Sequence, residues 1–122
     1  MNIKKLLFTF ILLLSFVIFC LELPSQIFKT SLQVIIRDEL GNTQSQAKVR
    51  LFKSKEDYDK LTNAATATLE TDEKGKVTFK DLEPIIYYVN AEKGSANNFG
   101  AGEQTTKLEE NRLNKLTIVI SE

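Results

Sequence analysis

The sequence of 122 residues contains no His, no Trp, two Pro and a single Cys. Without His the chain lacks the commonest general base and metal ligand. With one Cys it can form neither an intramolecular disulfide nor a Cys-based zinc site. It has no excess of either charge: 16 basic and 16 acidic side chains balance, which leaves no electrostatic footprint for nucleic acid. P-loop, G-x-S-x-G, H-E-x-x-H and C-x-x-C motifs are missing. Gly94, Gly100 and Gly102 fall in a loop without the strand-to-helix context of a nucleotide site. The carboxylate pairs Asp57/Asp59 and Glu109/Glu110 lie in charged segments, not across the cleft that glycoside hydrolysis needs. A protein without enzymatic activity, cofactor or metal is expected.

Apolar residues are present but unevenly spread. Residues 1–28 hold 19 of them, and residues 29–122 hold 33. Lys4 and Lys5 precede the apolar run Leu6–Leu21, which Glu22 closes. A spanning helix wants ~20 apolar residues and a secretory h-region about 7–15, so a run of 16 falls between. Residues 1–23 are therefore read as a signal peptide or membrane anchor, 24–30 as a linker and 31–121 as the domain. The chain is expected outside the cytoplasmic membrane, in the periplasm, on the outer-membrane surface or beyond, with a membrane tether as one outcome. Cys20 stands where a lipoprotein attaches its lipid, although Phe19 replaces the small residue usual before it. Otherwise Cys20 is one more apolar residue of the run.

From Thr30 onward the period is two. Alternation over 32–37, 47–51, 65–69, 76–80, 85–92, 103–107 and 115–121 predicts seven short strands. Turn residues separate them, notably Asp38–Asn42 and Thr71–Gly75, where Gly75 supplies a positive φ and 76–80 is expected to return along 65–69 as a hairpin. Such spacing predicts an all-β, seven-stranded antiparallel sandwich. The inward set is Leu32, Val34, Ile36, Val49, Leu51, Ala67, Leu69, Val77, Phe79, Tyr87, Val89, Ala91, Leu116, Ile118 and Ile120, with Leu82 plugging an end. One helix interrupts the pattern. Ser54 caps a stretch over 55–62 with Asp57 three positions on, Glu56 and Lys60 are four apart, and Tyr58 and Leu61 share a face. Two turns cannot stand alone, so the helix must lean on the sandwich.

Three stretches carry a resemblance: Asn42 with Ala47–Phe52, the Thr71–Phe79 segment of pattern T-D-x-x-G-x-x-x-F, and Leu82–Ala91 with its Tyr87-Tyr88 pair. Together they resemble the transthyretin-like, carboxypeptidase regulatory-like (prealbumin-like) β-sandwich of exported bacterial proteins, over residues 31–121. The resemblance implies a fold and not an activity, since such modules serve as spacers, adhesion modules, ligand binders and appendages to peptidases. Pilin-type sandwiches similar to this one can form an internal Lys–Asn isopeptide, and Lys29 and Asn114 stand before the first and last strands. That reaction needs a buried Lys beside a protonated carboxyl group, so two exposed polar residues are expected instead.

The function expected is structural display or protein–protein interaction at the bacterial envelope, with an unidentified envelope or extracellular protein as partner. The alternative is a small-ligand or Ca²⁺-binding module using the connections 38–46, 72–75 and 93–102, which strand alternation gathers at one end. Asp38, Asp72, Asn97, Asn98 and Phe99 are its candidate binding residues, although a calcium ion needs six to eight oxygens. Outward-facing apolar residues form two candidate interaction surfaces: Ile35 with Val119, and Phe52 with Ile86 and Tyr88. The competing expectation for the second is that the helix folds back and lays Tyr58 or Leu61 on Phe52.

Overall fold

A computed structural model describes residues 3–5 and 29–122. The proposed export segment and Cys20 otherwise lie outside the described residues. Two sheets face each other. One has three strands in the order β4-β1-β7, formed by β1 (Ser31–Arg37), β4 (Lys76–Phe79) and β7 (Leu113–Val119). The second has the order β3-β2-β5-β6, formed by β2 (Lys48–Phe52), β3 (Leu69–Glu70), β5 (Tyr88–Lys93) and β6 (Ala96–Asn97). Period-two alternation puts one face of each strand inside: Leu32, Val34 and Ile36 meet Val49, Leu51, Val77, Phe79, Tyr87, Val89, Ala91, Ile118 and Ile120 in one buried cluster. Each Val, Leu, Ile or Phe side chain among them contributes about 1.5–3 kcal/mol by leaving water.

The all-β sandwich expected from the pattern is present, with four corrections. It is not wholly antiparallel: β1 and β7 pair in parallel, Leu32 opposite Asn114 and Ile36 opposite Ile118. Alternation reports which face a residue takes and is blind to strand direction, so this could not be read from the sequence. The turn at 72–75 is tight, with Gly75 N–H donating to Asp72 O and Asp72 N–H to Lys76 O, but it joins no hairpin. β3 pairs with β2, whereas β4 pairs with β1, so the chain changes sheet at Gly75.

The third correction concerns residues 65–68, which are not a strand. Thr66 Oγ1 accepts from Leu51 N–H at 3.1 Å, taking the place a paired backbone carbonyl would have. The segment peels off the edge and leaves Ala67 and Leu69 exposed rather than inward. The fourth concerns 103–107, also no strand. Glu103 O accepts from Val89 N–H and Thr105 N–H donates to Tyr87 O, so this segment runs along β5 without regular pairing. The regular partner of β5 on that side is β6, which sequence alternation missed. A bridge between Asn97 and Ser121 then joins the two sheets at a corner.

The helix, α1, spans Lys55–Lys60 rather than 55–62. Ser54 Oγ accepts from Asp57 N–H at 3.1 Å, the capping arrangement its sequence requires. Leu61 turns left-handed, at φ 52°, and donates to Tyr58 O, which stops the helix early. Glu56 with Lys60 and Lys55 with Asp59 form i,i+4 ion pairs. Both are exposed, so the helix depends on its buried Tyr58.

Candidate functional site

The proposed binding residues divide among three places. Asp38 lies at the end of the sandwich where β1 finishes. There the connection 38–46, the Lys93–Ala96 turn and residues 120–122 border an open groove of about 790 Å³. Gln44 ties the groove together: its Nε2 donates to Asp38 Oδ2 at 3.2 Å and its Oε1 accepts from Lys93 Nζ at 3.3 Å. Asp72 reaches the same end of β1, through the turn whose Gly75 O accepts from Ile36 N–H.

Both aspartates are occupied in building turns. Asp38 Oδ1 accepts from Leu40 and Asn42 N–H at 3.0 and 2.9 Å. Asp72 Oδ1 accepts from Lys74 and Lys76 N–H at 2.8 and 3.0 Å. The Lys76 N–H, followed by Lys74 N–H and the two ammonium charges, holds the Asp72 carboxyl below its ordinary value. Among the described residues no group of three acidic or Cys side chains is placed to hold a metal ion.

A group whose folded pKa is depressed contributes stability above its unfolded pKa and loses it as pH falls through the folded value. Asp72→Asn should therefore lower the melting temperature most near neutrality. The difference from the parent protein should shrink below about pH 4, the ordinary Asp range. Melting curves from pH 7 to pH 2 in parallel would check this. A constant gap across that range would show that the Asp72 charge plays no part.

Asn98 is fully buried and unavailable to a ligand. Its Oδ1 accepts from Ala91 N–H at 2.9 Å and its Nδ2 donates to Val89 O at 2.7 Å. Asn97 is half-buried; its backbone exchanges two hydrogen bonds with Ser121 and its Oδ1 accepts from Phe99 N–H. The Lys93–Gly102 connection is thus not one loop at one end. It returns along β5 and delivers Phe99 to the helix side of the second sheet.

Phe99 there joins Phe52 and Tyr88 around Tyr58, the hub that sequence reasoning undervalued. Tyr58 meets Phe52 edge-on with ring centroids 5.9 Å apart, and its ring lies 6.1 Å from Tyr88 and 5.5 Å from Phe99. Arg50 stacks on the Phe52 ring at 5.5 Å, a favourable cation–π distance. Phe52 is consequently buried, which removes it from the exposed surface proposed for it. The competing expectation, cover by the helix through Tyr58, describes the arrangement. Phe52 pairs with Tyr88 and not with Ile86, which stays exposed beyond the start of β5. On the first sheet Ile35 is half-buried and Val119 is 40% exposed, both facing outward.

The Tyr58 hydroxyl is buried beside the Glu103 carboxylate, near enough to be influenced by it but outside hydrogen-bond geometry. Burial first, and the neighbouring Glu103 carboxylate second, push its acid dissociation upward. It stays neutral at any physiological pH. An unsatisfied buried hydroxyl costs about 1–3 kcal/mol, so Tyr58→Phe should raise stability by about 1 kcal/mol in urea unfolding. A loss of that size would mean that the hydroxyl is bonded in solution.

Two exposed features stood outside the expected set. Leu40 is 88% exposed at the tip of the turn that Asp38 fixes, where Arg37 Nη1 also donates to Gly41 O at 2.8 Å. The signal was available in the sequence: one Leu amid the four other turn residues of Asp38–Asn42. Leu113, 49% exposed, opens β7 at the opposite end. Lys29 pairs with Asp81, both largely exposed. Asn114 spends its amide on Ser31 O, Glu109 O and Arg112 O and accepts from Glu109 N–H. Neither offers the buried pair that an isopeptide requires.

Among solved structures, the fold is similar to that of BcpA, the major pilin subunit of Bacillus cereus, with a TM-score of 0.50 and 20% identity. The match covers 74% of this chain but 29% of that one, so this chain corresponds to less than a third of the pilin subunit. At that identity the likeness concerns the fold alone. No protein-family model matches the chain, and no relative was found among curated proteins. The β-sandwich expected from the resemblance stands, while its narrower transthyretin-like assignment has no matching family model.

Proposed function

We propose that the chain is a non-enzymatic β-sandwich module, exported and displayed at the bacterial envelope, that works by binding another protein. The observation that carries this reading is the Leu40 turn. Asp38 and Arg37 lock its backbone through three hydrogen bonds, and it holds an aliphatic side chain out in water. Isolated exposed leucines mean little, but a rigid loop presents one at low entropic cost on binding. The polar side chains support the same reading, because Asp38, Asp72, Asn98 and Asn114 are all spent on the fold. Likeness of fold to a pilin subunit is compatible with assembly or display outside the cell.

A photo-crosslinking residue placed at position 40 of the full chain in its native host tests the reading. One adduct of defined mass is expected there and none at position 56 on α1. Absence of any adduct at position 40, or equal labelling at both positions, would overturn it.

A further inference from the structure

The outward face of the β4-β1-β7 sheet has an unusual charge pattern. Its outward positions are Ser31, Gln33, Ile35 and Arg37 on β1, Lys76 and Thr78 on β4, and Leu113, Lys115, Thr117 and Val119 on β7. Lys80, exposed directly after β4, extends the row. Four cations share this face and no acidic side chain does. The other ten basic residues of 29–122 share the rest of the domain with all 15 acidic ones. All five ion pairs among the described residues lie elsewhere, so Arg37, Lys76, Lys80 and Lys115 form no direct ion pair, and only Lys76 feels a nearby carboxylate, that of Asp72. Asp72, the acid beside Lys76, has its carboxylate turned into its own turn. Apolar side chains stand among the cations: Ile35 at the centre of β1, and Leu113 and Val119 exposed at the two ends of β7.

We propose that this face docks on an anionic phospholipid bilayer. An array of cations outside any ion pair, with interspersed aliphatic side chains, suits such a surface, where each Lys or Arg near anionic headgroups contributes about 1 kcal/mol. Chain connectivity argues for a bilayer over a soluble polyanion. The apolar run Leu6–Leu21 precedes β1 by residues 22–30 only, and nine residues reach at most about 30 Å. With that run held in a membrane, β1 remains close to the headgroups, and the cationic sheet it centres lies within reach of them. The inference rests on the envelope reading above but on a different face from Leu40, so loss of crosslinking at position 40 would leave it standing.

Amine labelling read by mass spectrometry tests the inference on the full chain, reconstituted in vesicles of phosphatidylcholine alone or with an equal part of phosphatidylglycerol. In the anionic vesicles Lys76, Lys80 and Lys115 should be protected at least about threefold, consistent with the contribution of one lysine. Lys48, on the opposite sheet, should label equally in both. Protection should vanish near 1 M salt, where the screening length falls to about 3 Å. Lys80→Gln with Lys115→Gln should remove the protection of Lys76 without altering the melting temperature. Equal labelling of the three lysines in both vesicles would overturn the proposal. Protection by soluble polyglutamate but not by anionic vesicles would overturn it too, in favour of an acidic protein partner.

Discussion

Asn98→Ala should destabilise the domain by about 2–4 kcal/mol, a large share of what a domain this size possesses. Residues 99–102 leave the edge of the second sheet and return at Glu103, whose carbonyl accepts from Val89 N–H. That excursion would strand two backbone groups of β5, Ala91 N–H and Val89 C=O. The Asn98 carboxamide meets both, acceptor to one and donor to the other, at 2.9 and 2.7 Å. The side chain thus continues the ladder where the main chain departs. Alanine leaves a buried donor and a buried acceptor unmet, each costing about 1–3 kcal/mol. Asn98→Asp keeps the acceptor but sets a carboxylate oxygen against Val89 O. Its loss should be as large at pH 7 and should recede in acid, when a protonated carboxyl can donate. Urea unfolding at pH 7 and pH 4 measures both variants. An Asn98→Ala protein within about 0.5 kcal/mol of the parent, the range of ordinary surface changes, would show that the excursion closes the ladder without this side chain.

The same region shows where sequence reading stops. Alternation identified the inward faces of β1, β4, β5 and β7 correctly because burial on one face imposes a period of two regardless of partner. It failed at 65–68, where Ala-Thr-Ala-Thr is equally β-like but the Thr66 hydroxyl substitutes for a strand. Asn98 reads as a ligand contact in the sequence, since a polar residue in a glycine-rich stretch has no visible backbone partner until the fold supplies one. Phe52 was read as outward, which its position in β2 satisfies. Burial came from Tyr58 on a six-residue helix, and one side chain covering another leaves no periodicity. The cationic sheet face was legible in principle, as Arg37, Lys76, Lys80 and Lys115 all occupy outward parity. It emerges only when β7 is placed beside β1 and β4 on the far side, an order that local pattern does not encode.

Gly75→Ala should cost about 2–4 kcal/mol, with Gly41→Ala as its control. Both glycines have left-handed φ, +74° and +88°, so both replacements incur about 1–2 kcal/mol of conformational strain. They differ in what a Cβ would meet. At Gly41 there is nothing within 4 Å, whereas at Gly75 it would stand 2.9 Å from Ile36 O, 3.0 Å from Gln44 N and 3.0 Å from Thr43 Cβ. Two of those atoms are backbone, and they bond each other: Gln44 N–H donates to Ile36 O at 2.8 Å. The crowding therefore cannot be relieved by a rotamer change. It must push the 72–75 turn away from β1 or break that bond, adding about 1–3 kcal/mol of overpacking. The strained site is also where the chain passes from one sheet to the other, so displacement there opens the end of the sandwich that carries Asp38 and Leu40. Denaturant midpoints of the two variants should differ clearly, and amide exchange at Ile36 and Gln44 should accelerate in Gly75→Ala alone. Equal losses for both glycines would mean that the turn moves off β1 freely, and that the rigidity ascribed to the Leu40 end does not extend to Gly75.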